Sequence, residues 1–304
     1  MNDLVNLSPG TYLASTVSFE KYLKEEKRLA PTTIKSKISL IKRLSKRVNL
    51  WDSEEVERYV INAEMTNGHK NSILYAYQDW CKFNGFEYNP KKFKRVKKLP
   101  YIPTEKEIDQ LISGTGRKTS SFLQLLKESA CRPIEAWRLT PEDFDLNQQI
   151  CYINKPAKGS DPRMFKMSDR LTAMVTRLIK KTLPNKRIWN CELKTITRNY
   201  QRRRKTISEV LANPNLLKIS LRTFRHWKAT TEYHKTKDIL YVKRMLGHRR
   251  IENTLVYTHL IDFKEKDSFI VKVAKNLEEF TELLEKGFEY ITDYDDKKIL
   301  RKRK

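Results

Sequence analysis

The chain has 304 residues, 62 of them lysine or arginine against 37 aspartate or glutamate, so its formal net charge is +25 with a hydrophobic fraction of 39%. Enough apolar material is present to bury the cores of two domains, which excludes a disordered polymer. A positive excess of this size points to a polyanionic partner, with nucleic acid the leading candidate. No run approaches the roughly eighteen apolar residues that a membrane helix needs, and the first twenty residues have neither a basic flank nor a long apolar stretch, so a cytoplasmic chain with no membrane partner is expected. Cys81, Cys131, Cys151 and Cys191 form no C-x-x-C pair, which predicts reduced, mostly buried thiols rather than a zinc site or a disulfide framework.

In chain order, residues 15–28, 32–47, 52–65 and 67–84 each carry apolar residues at helical spacing and predict four helices. Pro31 opens the second, Asp52 or Ser53 caps the third, and Gly85 ends the fourth. The second helix sets Lys35, Lys37, Lys42, Arg43, Lys46 and Arg47 among Ile34, Ile38, Ile41 and Leu44, so that one face can pack while another meets phosphates. Residues 86–103, FEYNPKKFKRVKKLPYIP, contain three prolines and six lysines or arginines with little periodicity. The expected boundaries are therefore a helical domain over 1–90, a basic linker over 91–103 and a second domain from 104. Such a linker would lie along a DNA backbone, adding affinity without sequence information, and would let the two halves close on a duplex.

The second part starts with a capping box, Thr104 ahead of Glu107, and continues through a helix at 118–129 to CRPIEAWRL, where Arg132 stands at a helix-to-turn junction before Pro133 and Glu135. The stretch QQICYINKPAKGSDPRMFKMS alternates on both sides of KGSDP and predicts a hairpin with Lys158 at its mouth. Helices follow at 168–182 and 193–211. Then SLRTFRHWKATTEYHK sets Arg222, Arg225 and His226 at the start of another helix, where free backbone N–H groups favour anions.

Taken in order, CRPIEAWRL, KGSDPRMF, RTFRHWKAT and MLGHRRIENTLVYTH resemble the motifs of the tyrosine recombinase family, the phage integrases and Xer-like proteins. The resemblance covers residues from about 15 to 260 and implies a mainly α fold with small β elements (α+β): an N-terminal four-helix core-binding domain and a catalytic domain over 104–262. It implies an active site of Arg132, Lys158, Arg222, Arg225, His248 and Tyr257, the tyrosine nine residues after the histidine. Lys155 is a second hairpin lysine, but the hairpin length matches the family from Lys158 onward. One departure is plain: Arg222 stands where the family usually has histidine. An arginine donates hydrogen bonds but cannot serve as a base, so any assisted proton removal from Tyr257 must be done elsewhere.

The residue types suit phosphodiester cleavage on chemical grounds. A tyrosine phenol is a weak nucleophile near its ordinary pKa of about 10, and neighbouring cations would favour the phenolate. Arg132 and Arg225 would clamp two non-bridging oxygens, Lys158 would protonate the departing 5′-oxygen, and His248 would hydrogen-bond the phosphate or relay a proton. A 3′-phosphotyrosine keeps the energy of the broken bond, so strands rejoin without ATP. The chain has no G-x-x-x-x-G-K-[ST], H-E-x-x-H or tight aspartate cluster, which counts against ATPases and metal-dependent nucleases; no cofactor and no metal is expected. The implied function is site-specific recombination or integration of double-stranded DNA, by a homotetramer on two DNA sites. A type IB topoisomerase-like enzyme and a catalytically impaired DNA-binding relative stay open beside it. Residues 263–304 read as strand, helix, strand, strand, with the helix from Asn276 to Lys286, a turn at DYDD, and a weak resemblance to tails of archaeal members.

Overall fold

The computed structural model describes residues 18–95, 99–260, 269–294 and 297–303. It divides into two compact units, 1–98 and 99–304.

The first unit is helical: α1 (residues 18–25), α2 (Pro31–Leu44), α3 (Ser53–Asn62) and α4 (Asn67–Phe83). Pro31 occupies the first turn of α2, and Lys42 and Arg43 its last, where cations complement the helix dipole. The Asp52 carboxylate caps α3, accepting the N–H groups of Glu54 and Glu55 at 3.0 Å each. Gly85 turns the chain after α4 at φ +83°. Phe19, Leu23, Ile34, Ile41, Leu44, Val56, Val60, Leu74, Tyr77 and Cys81 form the core, and the buried Tyr77 hydroxyl donates to Leu50 O at 2.8 Å. The stretch after Gly85, although it has no periodicity, is fastened to α4: Tyr88 is buried, Asn71 exchanges two hydrogen bonds with the Phe93 backbone at 2.9 Å, and Asn67 donates to Lys94 O at 2.8 Å. Lys37 leaves the expected phosphate-facing set, because its ammonium is held by Asp79 at 2.5 Å and by Tyr75 O at 3.0 Å. Lys35, Lys42, Arg43, Lys46 and Arg47 are exposed.

The second unit opens with α5 (Glu105–Ser113), started by the expected Thr104–Glu107 capping box. Next comes α6 (Arg117–Ser129), whose Phe122, Leu123, Leu125 and Leu126 are fully buried. A helix buried nearly all round marks the centre of a core, and α5, α8 (Asp169–Ile179) and α10 (Thr223–Thr236) pack against it. After α7 (Pro133–Arg138) comes an antiparallel sheet in the order β1 (Phe144–Asp145), β2 (Ile150–Ile153), β3 (Arg163–Lys166), with Phe144 and Phe165 flanking Cys151. The expected hairpin is β2–β3; the two-residue β1 was too short to show as alternation. Between β2 and β3, Lys158 and Gly159 both have positive φ, +57° and +65°, inside a turn closed by Ser160 N–H to Ala157 O at 3.2 Å, the geometry of a type I′ turn. The rest comprises α9 (Leu193–Val210), α11 (Ile239–Leu246) and the four-residue α12 (Glu252–Leu255).

After Tyr257 come β4 (Phe269–Ala274), α13 (Leu277–Glu285), β5 (Glu289–Tyr294) and β6 (Lys297–Arg303), in the sheet order β4–β6–β5. Ala274, Leu283, Phe288 and Leu300 form their own small core. Asn276 caps α13 through Glu279 N–H at 2.8 Å. Of the expected DYDD turn, Asp293 and Tyr294 are the last residues of β5, and 295–296 lie outside the described residues.

Candidate active site

At the end of α6 the chain takes a left-handed step at Ala130 (φ +52°), buries Cys131, and restarts as α7 with Pro133 in its first turn. That reversal leaves Arg132 half-buried, with Nη1 donating to Ser160 Oγ at 2.6 Å and Glu135 Oε1 at 2.9 Å. Glu135 has a fully buried side chain. It accepts the Arg132 and Ala157 backbone N–H groups at 2.8 and 3.0 Å, and Arg163 Nη2 from β3 at 2.5 Å. Burial alone would push its carboxyl up, but the Arg163 guanidinium and the two backbone donors win, holding it at about 2. Arg163 Nε and Nη1 are buried with no hydrogen-bond partner among the described residues.

Arg225 lies one turn into α10 and is 7% exposed. It donates Nη1 to Ala130 O at 2.7 Å and Nη2 to Leu246 O at 2.8 Å, which joins the α6 and α11 C-termini to α10. Helix C-termini carry unpaired carbonyls, so a guanidinium there satisfies groups the helices leave open. The same Nη2 lies 2.9 Å from His248 Nε2. Because arginine can only donate, Nε2 is the acceptor, and the neutral ring carries its proton on Nδ1, which faces Thr254 Oγ1 at 3.0 Å. Burial, then Arg225, Arg132 and Arg163, lower His248 to about 4. Arg225 is lowered by burial, Arg132 and Arg163 to about 10, and so stays cationic at neutral pH. Arg132 and Arg163 share the Glu135 carboxylate while Arg225 bonds only neutral groups, leaving an uncompensated positive charge that suits an anion.

His248 follows Gly247, the left-handed C-cap of α11 (φ +65°). A Cβ at Gly247 would stand 2.8 Å from Asp161 O and 3.1 Å from Arg163 Nη1. The position thus demands glycine for conformation and for space alike. Asp161 N–H donates to Gly247 O at 3.1 Å, and Arg249 Nε to Asp161 Oδ1 at 3.1 Å, which pins the β2–β3 hairpin to the α11 terminus.

Tyr257, just past α12, is 3% exposed and packs with Ala130, Ala229, Val242, Leu246 and Leu260. Its hydroxyl lies 3.2 Å from His226 Nδ1, with the ring centroids 5.9 Å apart. Burial raises its pKa, opposed by Arg225 and Arg132, and the net direction is upward. The nearby cations do favour the phenolate, as expected, but burial is the larger effect and outweighs them.

The structure brings Arg132, Arg225, His248 and Tyr257 into one hydrogen-bonded and packed cluster. It does not bring Lys158 or Arg222 into it by any bond: both side chains are exposed, with no hydrogen bond or ion pair among the described residues. Arg222 and Arg225, expected to share a helical face, have opposite environments, since Arg222 is the N-cap of α10 and Arg225 is buried. Five members of the cluster were not assigned from sequence: Glu135, Ser160, Arg163, His226 and Thr254. Ser160 and Arg163 lie in the hairpin motif and His226 beside Arg225, but no spacing distinguishes them from solvated neighbours.

Fold and cluster define the class. The chain belongs to the phage integrase family, whose model matches residues 103–264. Among its relatives, the tyrosine recombinase XerC of Natranaerobius thermophilus is 27% identical over 183 residues, 55% of this chain and 60% of that protein. XerA of Saccharolobus solfataricus is 24% identical over 169 residues, 55% of this chain and 54% of that protein. The chain thus spans little more than half the length of these relatives. Two solved structures share the fold. The Tn1549 transposon integrase in complex with transposon right end DNA has a TM-score of 0.62 at 12% identity, covering 80% of this chain and 94% of that one. The XerH site-specific recombinase bound to difH substrate has a TM-score of 0.58 at 17% identity, covering 82% and 83%. Among the described residues, no helix is long and apolar enough to cross a membrane.

Proposed function

We propose that this chain is a site-specific DNA recombinase that cuts and rejoins double-stranded DNA through a 3′-phosphotyrosine on Tyr257. The observation that carries the reading is the cluster itself: a buried tyrosine beside an over-positive group of guanidinium side chains, in a family whose relatives bear recombinase names. Arg132 and Arg225 bind the non-bridging oxygens, a task for planar, bidentate donors in a dry site. Tyr257 Oη attacks phosphorus, and Lys158, exposed at the tip of its turn, protonates the 5′-oxygen as it leaves. His248 holds Arg225 in place through its neutral Nε2. Arg222, exposed at the N-terminus of α10, reaches a phosphate oxygen.

DNA as partner is supported by the net charge of +25 and by the DNA-bound structures of the Tn1549 integrase and XerH. Four copies acting on two duplexes is the assembly that the family resemblance implies, checked by sedimentation of the protein with paired sites. For the chemistry, the test is a nicked suicide duplex carrying a supported site, incubated without metal or nucleotide and run on a denaturing gel. Wild type gives a covalent protein–DNA adduct and Tyr257→Phe gives none at equal DNA affinity. Tight binding with no adduct from wild type replaces this reading with that of a DNA-binding relative impaired at the Arg222 position.

A further inference from the structure

We propose that His226 is the proton acceptor for Tyr257, its Nδ1 taking the phenolic hydrogen as Oη attacks phosphorus. The inference rests on the phosphotyrosine reading above. The Oη to Nδ1 separation is 3.2 Å, within the reach of a general base.

The other candidates are excluded by their bonds. Arg222, which stands where the family usually has histidine, is a guanidinium and exposed. His248 has no free lone pair: Nε2 receives Arg225 Nη2, and Nδ1 carries the proton that faces Thr254. Glu135 is saturated by Arg132, Arg163 and two backbone donors, and at about 2 is too weak a base. That leaves His226, on the turn of α10 next to Arg225, with its ring nitrogen against the phenol. The charged and titratable groups acting on it are Arg225 and Arg222 of its own helix and the Tyr257 phenol from beyond α12. Burial first, then the two arginines, lower its pKa below the ordinary imidazole value, so the ring is neutral and able to accept at neutral pH.

The step balances. The Oη–H bond breaks and an N–H bond forms on Nδ1; the Oη–P bond forms and the P–O5′ bond breaks, with the leaving oxygen protonated from Lys158. When a 5′-hydroxyl reverses the reaction, His226 returns its proton to the phenolate.

The test is single-turnover adduct formation on the suicide duplex across pH 4 to 9, for wild type, His226→Gln, Lys158→Ala and Tyr257→Phe. Wild type is expected to lose rate on the acid side, below the ordinary imidazole value. His226→Gln, which keeps a polar contact but no basic nitrogen, is expected to be slower by roughly 10²-fold, with unchanged duplex affinity, no acid limb, and partial rescue by added imidazole. A substrate whose 5′-oxygen is replaced by sulfur needs no leaving-group proton, so it rescues Lys158→Ala and leaves the His226→Gln defect in place. A rate within threefold of wild type, or a slower variant that keeps the acid limb and ignores imidazole, overturns the proposal. So does a sulfur substrate that restores His226→Gln. Independently of any variant, nitrogen NMR of the wild-type ring must show the neutral form protonated on Nε2; the opposite tautomer also overturns it. No adduct from wild type at any pH is a different failure, that of the phosphotyrosine reading itself.

Discussion

At the scale of single residues, Glu135 holds the site together as a negative charge among its arginines. Its folded pKa of about 2 lies below the ordinary carboxylate value, so its stabilisation is present above that value and is lost as pH falls toward 2. A shift of this size corresponds to about 3 kcal/mol. Glu135→Gln leaves Arg132 and Arg163 without their carboxylate in a buried setting, and is expected to lower unfolding free energy at pH 7 by roughly 3–5 kcal/mol. Protonated Glu135 resembles glutamine, so urea denaturation at several pH values should find the gap between wild type and variant narrowing from pH 5 to pH 2. A constant gap would show that packing, not charge, is what the residue supplies. Tyr257 behaves oppositely: both groups are buried near Arg132, yet the carboxylate is driven down by direct bonds while the phenol, which meets His226, is driven up by burial.

At the scale of elements, the hairpin turn, the α11 C-terminus and α7 form one joint, with Asp161, Gly247 and Arg163 meeting at its centre. Gly247→Ala places a methyl 2.8 Å from a backbone oxygen while holding a left-handed φ, so neither partner can yield cheaply. The left-handed conformation alone costs alanine about 1 kcal/mol, and the contact adds to it; a total near 2–4 kcal/mol is expected. Calorimetry should record a fall of roughly 5–10 °C in the transition of the second unit. An unchanged melting temperature would mean that the hairpin is held elsewhere. The helices were legible because each carries its own signals: Asp52, Thr104 and Asn276 cap as their side chains allow, and Pro31 starts α2 where its missing N–H does no harm. The two-residue β1 and four-residue α12 were not legible, since both are shorter than the period that would reveal them.

At the scale of the whole molecule, the two units have separate cores, and the charge of +25 belongs to both. If DNA is the partner, affinity for duplex should fall steeply with salt. With on the order of 6–10 neutralised phosphates, the loss between 50 and 200 mM salt should be roughly 10³–10⁵-fold, read by fluorescence anisotropy. A nearly flat dependence would deny the polyanion argument whatever the fate of the active site. The exposed Lys35, Lys42, Arg43, Lys46 and Arg47 of α2 are expected to contribute to that slope, whereas Lys37, paired with Asp79, is not.

By itself the sequence determined the net positive charge, the helical character of both units, and the order and spacing of the motif residues. These depend on composition, periodicity and spacing, all of which are local. The tertiary structure alone decided the protonation and partnership of those residues. Only when α6, α10 and α11 converge does Arg225 meet Ala130 O, Leu246 O and His248, across separations of 95, 21 and 23 residues. That arrangement takes His248's lone pair, buries Glu135 beneath two arginines, and turns His226 toward Tyr257. A pKa and a hydrogen-bond direction are set by what surrounds a group in space, and distant segments supply those surroundings.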